Sequence, residues 1–374
     1  MSPTTIGIID FGTNSIHLLV GVLGRTGAFR VIRAERELVR LGDATPPPGG
    51  GDGKARGGPP PARGGLATGR LSRQAQRRAL RGLARYASML RRLNVQRVEA
   101  VATSAVRDSS NGRAFARRVR AQLGIPLRVL SGREEARLAY LGVRHRQRWH
   151  GPVAVIAIGG GSAQVAHGDG ACPRYATSVP LGGSRLAQQF IRHDPPRPEE
   201  VEALRRAAQR VWRPVVWALS RARWRRALGG SAMIYQLMMA SHLRRYRRLP
   251  ASKDRLAISQ RSLRELAAWL SVSTAAERTH LPGLDPKRQD LALPTAVALL
   301  AWMEGCGVPL LAYAPGSIRE GLAVDYLLRH HQGRTRRIPH PLEALFGANG
   351  SRGSARSRVR RRVVRRLHPA WSAP

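Results

Sequence analysis

IGIIDFGTNSIHLLV, residues 6–20, and VAVIAIGGGSAQVAHG, residues 153–168, decide the fold of this chain. Each reads as a buried apolar strand, a tight glycine turn and a second apolar strand. Such a hairpin points backbone N–H groups and a hydroxyl into its turn, which makes a nest suited to phosphate. Two copies lie about 150 residues apart, so the chain reads as an internal duplication. The copies differ where chemistry would occur: the first carries Asp10 at its turn, and the second has Ala157 in the equivalent place.

Working outward, strands are expected over 6–9, 16–23 and 28–35. A Gly/Pro-rich stretch without periodicity follows at 44–69 and reads as a flexible surface insertion. Ser72 then caps a helix whose buried face repeats as Leu80, Leu83, Ala84, Ala87 and Leu90. Strands at 98–103 and 127–130 alternate with helices at 111–123 and 134–143, an α/β pattern. After the second hairpin, helices dominate: 197–219, 232–243, 260–270 and 293–304. A late strand at 309–313 leads into a closing helix at 318–329, expected to pack back onto the first domain. The expected division is a first α/β domain over 1–150, a second over 151–329, and a basic, disordered tail over 330–374.

Composition narrows the partners. The 374 residues contain 64 Lys and Arg against 23 Asp and Glu, a net charge of +41. Only Lys54, Lys253 and Lys287 are lysines. Arginine forks bind phosphate bidentately, although a biased genome also favours arginine over lysine. Such a bias leaves the scarcity of acids unexplained, and that scarcity points to a polyanionic partner. Cys172 and Cys306 lie far apart and in no metal spacing, so neither a disulfide framework nor a zinc site is expected. With no membrane-spanning run and no signal peptide in view, the expected location is the cytoplasm, with no membrane partner.

An ordered set of further motifs gives the duplication a family resemblance. These are Ala102–Asp108 (ATSAVRD), Ser131–Arg137 (SGREEAR), Gly159–Gly161, Leu181–Leu186 (LGGSRL), Gly229–Ser231, Leu281–Gly283 and Arg319–Gly321. Together with Ile9–Ser15, they make the chain resemble the exopolyphosphatase/guanosine-pentaphosphate phosphohydrolase family from about residue 6 to 328. The resemblance implies two actin-like (ribonuclease H-like) α/β domains, with mixed sheets flanked by helices and a cleft between them. It implies hydrolysis of a terminal phosphoryl group from inorganic polyphosphate or a guanosine polyphosphate. By the same resemblance, Glu135 is the base that activates water. Gly12, Thr13, Asn14, Ser15, Ser104, Arg107, Gly159, Gly160, Gly161 and Ser162 hold phosphate, and Asp10 holds Mg²⁺ or another divalent cation. A homodimer is compatible with such a family. Since adjacent helical side chains diverge by about 100°, only one of Glu134 and Glu135 can face a cleft.

The second loop departs from the family pattern Asp-x-Gly-Gly-Gly-Ser-Thr-Glu, with Ala157, Ala163 and Gln164 replacing Asp, Thr and Glu. Ser317 also stands where the family has Gly. Two expectations follow: a working exopolyphosphatase of reduced rate, or a non-catalytic member that binds polyphosphate or a guanosine polyphosphate as a sensor or scaffold. The basic tail adds nonspecific polyanion binding, although no nucleic-acid motif accompanies it.

Overall fold

The computed structural model describes residues 4–23, 29–42, 69–145, 151–170 and 172–331. Residues 44–68 of the Gly/Pro-rich stretch and 332–374 of the basic tail lie outside them. The first sheet comprises β1 (Thr4–Phe11), β2 (Ser15–Leu23), β3 (Phe29–Leu38), β4 (Arg97–Ala102) and β5 (Leu127–Val129). Its order is β3-β2-β1-β4-β5, antiparallel through the first three strands and parallel from β1 to β5. The second sheet comprises β6 (Val153–Ile158), β7 (Ala163–Gly168), β8 (Tyr175–Val179), β9 (Arg226–Gly229), β10 (Ala257–Ser259) and β11 (Leu310–Tyr313). Its order, β10-β11-β9-β6-β7-β8, repeats the first pattern as β8-β7-β6-β9-β11 and adds β10 at the edge. Two mixed sheets of one topology, each opening on a hairpin and flanked by helices, are the actin-like arrangement.

Alternation along β1 feeds two cores. Ile9 and Phe11 join the cluster under α1 (Arg73–Arg92). Ile6 and Ile8 join a second cluster with α4 (Gly132–Arg144) and the closing helix α11 (Ile318–His331). A Cβ on Gly7 would lie 2.4 Å from the Leu90 side chain, so the missing side chain lets α1 press onto the strand. The α1 cap forms through the Ser72 hydroxyl, which accepts from Ala75 N at 3.1 Å. One residue of its expected buried face is corrected: Ala84 is exposed, whereas Ala75, Ala79 and Tyr86 are buried. The apolar face drifts around the helix, and an Ala at its margin carries too little apolar area to mark the edge.

In the second half, α10 (Ala292–Gly305) is apolar on every side and buried against α6 (Pro198–Ser220). Trp212 on α6 ties the pair by donating its indole N–H to Ala298 O at 2.8 Å. The closing helix crosses α4 at near backbone contact. A Cβ on Gly321 would stand 1.9 Å from Leu138 O, and one on Gly142 would stand 2.1 Å from Ser317 O. Arg137 and Asp325 then bridge the two helices at 2.7 Å. This crossing sets residues 317–320, which lie against the second half of α4, in the wall of the cleft.

Candidate active site

Both hairpins close their turns in the same way. Gly12 N donates to Ser15 O at 3.0 Å, and Gly159 N donates to Ser162 O at 2.9 Å. Strand register makes the comparison residue by residue: Asp10 pairs with His17 across the first hairpin, and Ala157 pairs with Gln164 across the second. The turns meet face to face. A Cβ on Gly160 would lie 2.7 Å from the Asn14 amide, and one on Gly161 would lie 2.5 Å from Ser104 Oγ and 2.8 Å from Thr13 Oγ1. Only glycine fits this approach.

A cleft of about 440 Å³ opens beside the facing turns. Of the residues named from the sequence, Asp10, Gly12, Thr13, Asn14, Ser15, Ser104, Glu135, Gly159, Gly160 and Ser162 line it. Gly161 sits in the turn behind. Arg107 is on α2 (Ser104–Arg107) and reaches the site through Glu135. Thr13 and Ser104 join across the first sheet, hydroxyl to hydroxyl at 3.2 Å.

Helix α4 separates its two glutamates. Ser131 and Glu134 form a capping box, and Glu134 also takes Arg128 at 2.7 Å on the surface. One position later, Glu135 turns inward and is only 3% exposed. Its Oε2 accepts from Arg107 Nη1 at 2.5 Å, and its Oε1 accepts from Ser162 Oγ at 3.3 Å. Burial pushes the Glu135 carboxyl above the usual carboxylate range, against the pull of Arg107 and Ser162. Gln164 reaches the same group indirectly, donating to Ser162 Oγ at 2.7 Å and to Ser178 Oγ at 3.2 Å. Asp108 holds the outer edge together, accepting from Arg107 Nε at 3.0 Å and Arg185 Nη2 at 2.5 Å.

Asp10 has different surroundings. Its Oδ1 is buried with no hydrogen-bond partner. Burial pushes its carboxyl up to about 7; Arg319 opposes that rise, while Glu135 and Glu320 add to it. Arg319 is itself held by Glu320 at 2.7 Å, and Ser317 donates to the other Glu320 oxygen. Among the described residues no cluster of three His, Cys, Asp or Glu forms a cation cage. The partnerless Asp10 Oδ1 is the one observation that fits a cation, which would take its other ligands from phosphate and water, as magnesium commonly does.

Residues that the sequence reading missed complete the walls: His17, Arg36 and Arg288. Arg288 is 8% exposed, and burial followed by neighbouring Arg36 pushes its guanidinium down to about 10. Burial, with Arg319, Arg36 and Arg288 around it, pushes His17 down to about 3, so it stays neutral. Its ring nitrogen meets Ser15 Oγ at 2.9 Å. A buried arginine carries no signature of its own in a chain this rich in arginine.

The family model of the Ppx/GppA phosphatase family matches residues 25–330. The chain belongs to the Ppx/GppA phosphatase family. Among its relatives, Exopolyphosphatase 1 of Mycobacterium tuberculosis is 28% identical over 324 residues, covering 86% of this chain and 88% of the relative. An uncharacterized protein of Streptomyces coelicolor is 38% identical over 237 residues, covering 62% and 68%. Two solved structures share the fold. An exopolyphosphatase from Cytophaga hutchinsonii has a TM-score of 0.73 at 24% identity and covers 87% of this chain and 98% of that one. The Aquifex aeolicus Ppx/GppA family member has a TM-score of 0.68 at 22% identity and covers 89% and 100%. Among the described residues, no helix of this Ppx/GppA protein is long and apolar enough to cross a membrane.

Proposed function

We propose that this cleft releases terminal phosphate from inorganic polyphosphate by attack of water on the last phosphoanhydride. One observation carries the reading: a buried glutamate, Glu135, faces the junction of two glycine turns and is held there by Arg107 and Ser162. A phosphoanhydride resists attack because its charged oxygens repel a nucleophile, so catalysis consists mainly of positioning and charge compensation. The facing turns, with Ser15, Thr13 and Ser162, hold the terminal phosphoryl oxygens. Arg36, Arg288 and Arg319 offset the charge of the phosphates behind it. Glu135 takes a proton from the attacking water as the new P–O bond forms. The bridging P–O bond breaks, and a chain shorter by one unit leaves. The raised proton affinity of Glu135 makes it a stronger base than an ordinary carboxylate. Asp10 would hold a divalent cation such as Mg²⁺ through its free Oδ1, and that ion would supply further charge compensation on the phosphate.

A second reading has its own observation. Ala157 and Gln164 leave the second turn without a carboxylate, which favours a member that binds polyphosphate or a guanosine polyphosphate without turnover. Phosphate release from long-chain polyphosphate separates the two, measured with and without Mg²⁺ on the wild type and Glu135→Gln. Mg²⁺-dependent release abolished by Glu135→Gln supports the hydrolase. Tight binding with no release from the wild type supports the sensor.

A further inference from the structure

Most described helices neutralise their arginines locally. Arg205 and Arg206 pair with Glu202 on α6, Arg261 pairs with Glu265 on α8 (Gln260–Val272), and Arg137 pairs with Asp325 between α4 and α11. Helices α1 and α3 (Gly112–Leu123) do not. Neither contains an aspartate or a glutamate. They pack side by side through the core that holds Leu83, Tyr86, Phe115 and Val119. Their outer faces carry Arg73, Arg77 and Arg81 on one helix and Arg113, Arg117 and Arg120 on the other, all exposed. None of these six has an acidic partner among the described residues. Spacings of three and four place each trio along one stripe of its helix, and the α1 trio spans roughly 12 Å.

The face adjoins the cleft. A Cβ on Gly112 would stand 1.8 Å from Val106 O, so the start of α3 is seated directly on α2, which carries Ser104 and Arg107. Arg113 is the next residue along. The ring systems of the two helices are turned away: Tyr86 is buried with its hydroxyl on Ile16 O, and Phe115 is buried against Phe11. A surface that grips single-stranded nucleic acid interleaves cations with exposed aromatic rings on which bases stack. This one offers charge alone, which matches a polymer that is phosphate throughout.

We infer that the outer face of α1 and α3 is an exosite that holds the body of a long polyphosphate chain while its end occupies the cleft. The inference rests on the polyphosphate reading above and adds to it a preference for long chains. Polyanion binding by several cations is a salt-dependent mass-action effect, with a log–log slope of about 0.7 per neutralised charge on a single strand. Removing four arginines should therefore flatten the slope by about three.

The test is the full chain carrying Arg77→Gln, Arg81→Gln, Arg117→Gln and Arg120→Gln together, compared with the wild type. Glutamine keeps the helix propensity, and an unchanged melting temperature shows that the fold is intact. The KM for long-chain polyphosphate should rise roughly tenfold or more at moderate salt, with kcat unchanged and the KM for tripolyphosphate unchanged. Retention of long-chain polyphosphate, measured on a Glu135→Gln background so that no turnover intervenes, should weaken in parallel. Unchanged long-chain KM and retention, or an equal rise in KM for tripolyphosphate, overturns the exosite. Displacement of polyphosphate by duplex DNA at equal phosphate concentration assigns the face to nucleic acid and also overturns it. If the wild type releases no phosphate yet the fourfold variant loses retention, the exosite stands and the hydrolase reading falls.

Discussion

The hairpin at 4–23 and the hairpin at 153–168 have the same register, the same Gly-to-Ser closure and the same place in their sheets. They differ one pair back from the turn, Asp10 with His17 in one and Ala157 with Gln164 in the other. The shared part is backbone, which under the proposed function holds phosphate whatever the neighbouring side chains are. The differing part is the carboxylate supply. A turn can thus keep its binding role after losing the acids beside it, and the two functions of such a loop can be separated by mutation.

The largest expected effect isolates the base. Glu135→Gln should lower phosphate release by roughly 10²–10⁴-fold while leaving polyphosphate retention intact; a variant retaining near wild-type turnover would assign the base elsewhere. Next is Asp10, whose free oxygen distinguishes the first hairpin. With its carboxyl near 7, protons compete with a cation, so the Mg²⁺ half-saturation concentration should climb as the pH falls below about 7. The stability sign is the reverse of an ordinary ion pair. The folded-state value lies above the ordinary 3.8, so rising pH from about 4 to 7 destabilises the metal-free protein by up to about 1.4 kcal/mol per unit. Asp10→Asn should therefore melt higher than the wild type at pH 8, with the gap closing near pH 4, and should lose Mg²⁺-dependent release. Equal melting at both pH values would mean that the carboxyl is better solvated than its geometry indicates.

Giving the second hairpin its family acids makes the two turns alike. Ala157→Asp with Gln164→Glu should raise kcat by roughly tenfold, about 1.4 kcal/mol of barrier, and lower the Mg²⁺ requirement in steady-state assays. No gain would show that the first hairpin alone carries the chemistry. The smallest effect concerns how α4 presents the base. Ser131→Ala removes the capping box and should cost about 1 kcal/mol in denaturant unfolding, with a modest fall in kcat as Glu135 loses its footing.

Much of this was readable from the sequence because it lives in local pattern. Apolar runs marked the hairpin strands, glycines marked the two turns that face each other, and the motifs named the family. Even the division between Glu134 and Glu135 was available, since Ser131 followed three residues later by glutamate is a cap signature. Arg36 and Arg288 were not, because their importance arises from burial beside His17, and burial of one arginine among many has no periodic trace. The partnerless oxygen of Asp10 is likewise a property of packing. So is the exposure of Ala84, which depends on how α1 rolls against its sheet.

The closing helix has a consequence for biosynthesis. Ile6, Ile8 and Leu19 share one core with Leu322, Val324 and Leu327. Strands β1 and β2 thus leave the ribosome roughly 15–60 s before the helix that completes this core, at ordinary elongation rates. Until then α4 covers that face of β1 without its partner helix, and the apolar surface left over on the nascent first sheet is open to a chaperone.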